Sequence, residues 1–170
     1  MEDLDLIARG LAKDDIDSLR NLQVLYKLRY RASEHGGEAE DFHERCDEFE
    51  GTLIIIKTKD ENMFGGYTEV SWDEDEGKEK IDENAFVFSI NLEKLYFNFG
   101  KNYNIISDKN KGPCFVGMFT VQEHILNGKG FVNNSGIQCY EGESEKYEIN
   151  GGKNEFFIEE MEVFQVIIKK

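Results

Sequence analysis

Three cysteines, Cys46, Cys114 and Cys139, are the residues of this sequence best suited to covalent or redox chemistry. Their odd number and wide spacing match neither a disulfide framework nor a Cys-x-x-Cys motif. No basic residue adjoins Cys114 or Cys139, so the sequence gives no sign of the lowered pKa that makes a thiol reactive. We therefore predict small buried or half-buried thiols in a reducing compartment. The alternative is a redox-active or scavenging thiol at one of the three positions.

The candidates for a metal site are weak. His43 and Cys46 are three residues apart on a predicted helix, but zinc needs three or four ligands and the sequence offers no second pair. Asp73 and Asp75 precede Gly77 as in a calcium loop, yet this glycine falls one position too early for an EF-hand. We predict a solvated acidic loop there, with weak calcium binding as the alternative, and no metal or cofactor.

Motifs of nucleotide-binding proteins and hydrolases are missing. Gly65-Gly66 and the other glycine pairs do not form GxGxxG or GxxxxGK[ST], and no GxSxG nucleophile elbow occurs. Glu159, Glu160 and Glu162 could form a glycosidase pair, but glutamates interleaved with apolar residues are typical of a strand with one wet face. The sequence predicts no catalytic residues, and we expect the protein not to be an enzyme.

The composition limits the range of partners. The chain has 170 residues and a formal net charge of −15, which disfavours binding to nucleic acid and to anionic membranes. No apolar run is long enough to span a bilayer, and the N-terminus does not resemble a signal peptide. We expect one compact, cytoplasmic domain that attracts basic protein surfaces.

The first third of the chain has the spacing of helices. Apolar residues predict a short helix over Leu4 to Leu11, a longer one over Ile16 to Leu28, and a third over Glu38 to Asp47, with Asp14 or Asp15 as an N-cap. We expect residues 1–24 to be a helical extension and residues 25–170 to form the main domain.

The rest of the chain has the pattern of strands. Thr52 to Thr58 and Met63 to Trp72 predict a hairpin, and an acidic loop follows over Asp73 to Asn84. Further strands are predicted over Ala85–Asn91, Leu95–Phe99, Asn104–Ser107, Cys114–Val121, His124–Leu126, Gln138–Tyr140 and Phe156–Ile168. Many short strands at regular spacing indicate an antiparallel sandwich.

An ordered series of sequence blocks resembles the TLDc domain family. The resemblance covers residues 25 to 168 and rests on Tyr30-Arg31-Ala32-Ser33, Asp41-Phe42-His43, Cys46-Asp47, Thr52 to Thr58, Phe64-Gly65-Gly66-Tyr67-Thr68, Trp72, Asn84 to Ile90 and Phe156 to Phe164. Within the family's glycine-rich segment, which corresponds here to Gly112 to Phe119, the chain keeps Phe115 and Gly117.

The resemblance implies an α+β, mainly β fold: a two-sheet antiparallel β-sandwich flanked by a few helices. The family-typical positions are Gly65, Gly66, Phe115, Gly117 and Glu162. For Gly65 and Gly66 we expect close backbone approach, and for Glu162 a role at a turn or strand end, with direct partner contact as the alternative.

The resemblance also implies a function. TLDc domains are associated with resistance to oxidative damage and with docking on the vacuolar proton-pumping ATPase (V-ATPase), and no active site has been demonstrated in the family. We therefore expect a protein partner among the V-ATPase subunits, contact with the cytosolic face of acidic organelles through that partner, and no cofactor. The sequence does not determine the oligomeric state.

Overall fold

Within the part of the chain that the structure describes, the domain consists of β-strands of very different lengths and four short α-helices. A computed structural model describes residues 2–73, 77–99, 102–132 and 139–169. The helices are α1 (Glu2–Leu11), α2 (Ile16–Asn21), α3 (Ala32–His35) and α4 (Ala39–Cys46). The strands are β1 (Gln23–Arg31), β2 (Thr52–Thr58), β3 (Met63–Thr68), β4 (Lys78–Lys80), β5 (Phe86–Ser89), β6 (Lys94–Asn98), β7 (Ile105–Ser107), β8 (Cys114–Phe115), β9 (Phe119–Val121), β10 (Lys129–Phe131), β11 (Tyr140–Glu141) and β12 (Glu155–Lys169). Residues 74–76 of the predicted acidic loop and residue 138 of a predicted strand lie outside the described ranges.

The strands form one antiparallel sheet. Its order is β11-β6-β5-β3-β2-β12-β10-β9-β8-β7-β4, and β1 also pairs with β12. The prediction of a mainly β, antiparallel fold with a few helices is confirmed, but hydrogen bonding joins the strands in a single sheet where two separate sheets were expected. The cause is β12, which is about 50 Å long. It pairs with β10 over its first three residues, with β2 from Ile158 to Gln165, and with β1 from Glu162 to Lys169.

In the strand order the sheet has two halves, β11-β6-β5-β3-β2 and β10-β9-β8-β7-β4, with β12 between them. Aromatic side chains fill the space between these halves. Phe64 on β3 packs edge-to-face against Phe119 on β9 and against Phe156 on β12, with ring centroids 5.3 and 5.2 Å apart. Phe115 on β8 lies between Trp72 and Phe119. A second cluster lies on the opposite side of β2, β3 and β5, where α1 buries Leu6 and Ile7 among Leu53, Tyr67, Phe86, Phe88 and Val166.

The longer helix predicted over Ile16 to Leu28 is wrong beyond Asn21. Asp15 caps α2 by accepting a hydrogen bond from the Ser18 backbone N–H, and β1 begins at Gln23. Leu28 also belongs to an alternating apolar pattern with Val24, Tyr26 and Tyr30, whereas Leu25 falls on the opposite, exposed face of the strand. β-branched and aromatic residues favour a strand, and pairing with β12 decides the outcome.

Most other predicted elements are confirmed, with three corrections. The strand predicted over Cys114 to Val121 is two short strands, β8 and β9, which a turn containing Gly117 at φ +84° connects. His124 to Leu126 forms only isolated bridges, to Glu38 and Ile158. Strands β4 and β10 were not predicted. No helix among the described residues is long and apolar enough to cross a membrane.

Candidate interaction site at the Arg31–Glu162 corner

Three of the five family-typical positions, Gly65, Gly66 and Phe115, lie in the core, and Gly117 is half-buried. A Cβ added to Gly65 would collide with the backbone carbonyl oxygen of Ile54, and a Cβ added to Gly66 would lie 2.5 Å from the Phe115 ring. Phe115 is fully buried, and Gly117 makes the β8–β9 turn. The expected close approach at the two glycines is therefore present. These residues determine how the halves of the sheet pack, and they do not form a surface site.

Glu162 is the family-typical residue that reaches the surface, where it pairs with Arg31. The two residues are opposite each other in the β1–β12 register. Arg31 Nη2 lies 3.0 Å from Glu162 Oε2, and Arg31 Nη1 lies 2.8 Å from Glu34 Oε1. The hydrogen bonds that the Arg31 guanidinium donates to Glu34 and Glu162 raise the pKa of Arg31. The pair is 34% and 29% exposed, so it positions the chain and remains reachable by a partner.

Hydrogen bonds hold the chain in place where β1 ends and α3 begins. The Ser33 backbone N–H donates to Glu160 Oε1 (3.1 Å), and the Arg31 backbone N–H donates to His35 Nδ1 (2.9 Å). The buried Tyr30 hydroxyl donates to the Gly36 carbonyl (2.7 Å). The block Tyr30 to Ser33, which the sequence singled out only as a motif, therefore forms one side of a fixed surface corner.

Helix α4 forms the other side of the corner and is acidic. Its capping box joins Glu38 and Asp41, and the exposed His124 ring lies 2.6 Å from Glu38 Oε2. A cleft of ≈ 600 Å³ beside the helix is lined by five acidic side chains, those of Glu38, Glu40, Glu44, Asp47 and Glu123. We call the surface made of Glu34, Glu38, Glu40, Glu44, Glu123, Glu160 and Glu162 the acidic corner.

His43 fastens α4 to the loop before β8. Its Nδ1 lies 2.7 Å from Asp47 Oδ1, and its Nε2 lies 2.8 Å from the carbonyl oxygens of both Asp108 and Lys111. All three partners accept hydrogen bonds, so this geometry is satisfied fully only by the doubly protonated ring. Burial lowers the pKa of His43, but the hydrogen bond and charge of Asp47, with the two carbonyls, outweigh it and raise the pKa overall.

Hydrogen bonds engage both ring nitrogens of His43, so neither is free for the metal ion considered from the sequence. In the part of the chain that the structure describes, no group of three or more His, Cys, Asp or Glu side chains is arranged to hold a metal ion. Asp73 and Gly77 of the calcium-loop comparison are described, and Asp75 lies outside the described residues.

The three cysteines are all buried and free, as the sequence predicts. Burial raises the pKa of Cys46 to about 12 and also raises the pKa of Cys114 and of Cys139. Cys114 Sγ lies 3.2 Å from Thr120 Oγ1, and Cys139 Sγ is 3.4 Å from the Tyr103 carbonyl oxygen. A high pKa and burial disfavour the thiolate that redox chemistry requires.

The fold and the corner together define a small antiparallel β domain with a closed aromatic core and a charged, rigidly held surface. The chain belongs to the TLDc domain family, whose sequence profile matches residues 11–167. The resemblance inferred from the motif blocks is therefore confirmed. The match begins at the last residue of α1, and the division at residue 24 stays a prediction. No curated protein matches the chain at a significant level.

Proposed function

We propose that this chain is a TLDc interaction module that docks on the V-ATPase, regulates it, contributes to resistance to oxidative stress and catalyses no reaction itself. The observation that carries the proposal is the family match over nearly the whole chain. The family's association with the proton pump and with oxidative damage then applies to a chain that keeps the family-typical glycines Gly65 and Gly66 and the family-typical Glu162, which in this chain pairs with Arg31.

The acidic corner is the surface that fits this role best. Its carboxylates lie on backbone that the Arg31, His35 and His43 hydrogen bonds hold in place. Backbone that is already held in place loses little freedom on binding, and a cluster of like charges speeds association with a basic surface. The net charge of −15 adds a long-range attraction to such a partner.

The test is binding of the purified chain to the purified cytosolic sector of the V-ATPase, with ATP hydrolysis measured in parallel. The double variant Glu40→Lys/Glu44→Lys reverses two exposed charges of the acidic corner. The matched control Glu141→Lys/Glu145→Lys makes the same change in net charge at exposed positions of the β11 region.

We expect the corner variant to bind at least about tenfold more weakly than the control, because reversed charges meet like charges across the interface. Equal weakening by both variants would show that net charge and not the corner drives binding. A wild-type chain that neither binds the pump nor alters its activity would refute docking.

A thiol-based antioxidant that uses Cys46, Cys114 or Cys139 is the other function considered from the sequence. Burial of all three thiols and their raised pKa values do not favour it. Replacing the three cysteines by serine separates the two ideas in cells exposed to peroxide. Protection that persists excludes a scavenger, and protection that vanishes while the protein stays folded excludes a purely docking role.

A further inference from the structure

Strand β1 has one open edge. Among the described residues it pairs only with β12, along the whole length of β1. The Val166 backbone N–H donates to the Gly51 carbonyl oxygen, 2.7 Å away, and therefore points to the β2 side of β12. The backbone N–H and C=O groups of successive residues point to opposite edges of a strand, so those of Gln165 and Ile167 point to β1. The backbone groups of their partners, Lys27 and Leu25, therefore point to β12.

The remaining residues of β1 consequently present their backbone to the open edge. Val24, Tyr26 and Leu28 turn their N–H and C=O groups away from β12, and no backbone partner within the described part of the chain meets them. The side chains of Val24 and Tyr26 pack into the α1 cluster, which holds this edge in a regular extended conformation. The edge is thus a preformed template for one more strand.

The exposed face beside this edge is basic and apolar in an otherwise acidic protein. It consists of Leu25, Lys27 and Arg29 on β1 with Ile167 and Lys169 on β12, and we call these five residues the β1 face. Leu25 is 48% exposed and Ile167 is 37% exposed. No acidic residue occurs between positions 18 and 33, although the chain as a whole carries −15.

The cations of the β1 face have no carboxylate partner in the part of the chain that the structure describes. In the described structure, neither Lys27, Arg29 nor Lys169 forms an ion pair. The Arg29 guanidinium is instead held in place, 3.8 Å from the centroid of the Phe49 ring and hydrogen-bonded to Gln165 Oε1. A planar cation fixed beside an open edge is well placed to pair with a carboxylate.

We propose that the open edge of β1 binds an extended segment of a partner protein as an additional strand, and that this segment carries acidic side chains at alternate positions. Main-chain hydrogen bonds to Val24, Tyr26 and Leu28 supply affinity, and carboxylates beside Lys27 and Arg29 with an apolar side chain beside Leu25 supply specificity. The proposal concerns a surface other than the acidic corner and does not depend on docking on the V-ATPase.

Two other occupants fit the β1 face less well. A second copy of this chain paired edge to edge would bring the basic residues of both β1 strands together, and like charges on neighbouring strands are destabilising. An anionic membrane attracts clusters of about four to eight basic residues, and the β1 face has fewer, beside a strongly acidic remainder.

The test uses the full chain and three capped ten-residue peptides in which Glu, Gln or Lys alternates with Val and Thr. Binding is measured by fluorescence anisotropy, and the binding site is located by hydrogen exchange of the β1 amides. The matched variants are Lys27→Glu on the β1 face and Lys59→Glu in the β2–β3 turn. Lys59 donates its backbone N–H to Phe157, about 40 Å along β12 from Lys169.

We expect the Glu peptide to bind, to slow exchange at Val24, Tyr26 and Leu28, and to bind about tenfold more weakly to Lys27→Glu than to Lys59→Glu. Lys27 is exposed, so the variant should fold, and Lys27→Gln serves as a second variant with a smaller loss.

Four results would overturn the proposal. The first is equal binding of all three peptides, and the second is an absence of binding by the Glu peptide. The third is slow exchange of the β1 amides without peptide in a concentration-dependent dimer. The fourth is tight binding to phosphatidylserine vesicles with no change in β1 exchange.

Discussion

Gly66→Ala tests whether the packing of the two halves of the sheet depends on the missing side chain at this position. The added Cβ would lie 2.5 Å from Phe115 Cζ and 2.6 Å from Phe115 Cε1, closer than carbon atoms pack. Phe115 is fully buried and touches the rings of Trp72, Phe119 and Tyr140, so it cannot move aside without disturbing them. Overpacking of this kind costs about 1–3 kcal/mol, which lowers Tm by about 2–12 °C for a domain of this size.

A double-mutant cycle identifies the cause of the loss. Phe115→Leu removes the ring atoms that the new Cβ would meet, so Gly66→Ala should cost at least about 1 kcal/mol less in that background. The matched control is Gly77→Ala, because a Cβ at Gly77 would meet only Asp108 Oδ2 at an ordinary 3.5 Å. Unfolding free energies come from urea titrations with a common m-value. Strictly additive losses at Gly66 and Phe115, or a loss at Gly77 equal to that at Gly66, would refute the argument.

Four further predictions concern single positions. Gly65→Ala should destabilise the fold by about 3 kcal/mol or more in urea titrations, because the added Cβ would meet the carbonyl oxygen of Ile54, which belongs to the backbone of a central strand. A smaller loss of stability than that of Gly66→Ala would contradict this prediction. Gly117→Ala should cost about 1–2 kcal/mol by the same assay, because Gly117 has φ +84°, and a neutral effect would show that the turn adapts. His43 has a folded-state pKa above its ordinary value, so the stability that the charged ring contributes is fully present below about pH 6.5 and is lost as pH rises through the raised pKa. The difference in unfolding free energy between wild type and His43→Gln should therefore shrink from pH 6 towards pH 9. A difference that stays constant over this pH range would contradict the prediction. Cys46, buried with a pKa of about 12, should react with a disulfide reagent at pH 8 at least about a hundredfold more slowly in the native protein than in urea, and equal rates would argue for an accessible thiol.

Elements whose own residues decide their structure were predictable from the sequence. The Thr52 to Thr58 run, the hairpin to β3 and the α4 face of Ala39, Phe42 and Cys46 follow from local pattern, and the structure has them where expected. The glycine pair Gly65-Gly66 was also interpretable, since glycine inside a strand signals close approach.

Features that depend on distant pairing were not predictable. The residues of β1 include apolar residues at both helical and alternating spacing, and pairing with β12 makes the segment a strand. The single sheet likewise results from the length of β12, which local periodicity does not encode. At the candidate site, Glu162 was a motif position, but its partner Arg31 lies 131 residues away in sequence. The only sequence signal for the pair was membership of both residues in separate family blocks.

The position of β12 in the chain also governs when the domain can fold during synthesis. Strand β1 pairs with the C-terminal part of β12, so residues 23 and 169 must come together. Strands β2 and β10 also need β12 as a pairing partner. Closing so long a loop has a large entropic cost that no local contact offsets beforehand, and the sheet cannot assemble until β12 has left the ribosome. Until then the apolar strand β2 can pair with β3 along one edge only, and its other edge, which pairs with β12 in the folded domain, stays without a partner strand. The nascent chain therefore exposes an unpaired apolar strand edge until β12 is available, and destabilising substitutions in β12 should lower cellular yield more than equal losses in α1 do.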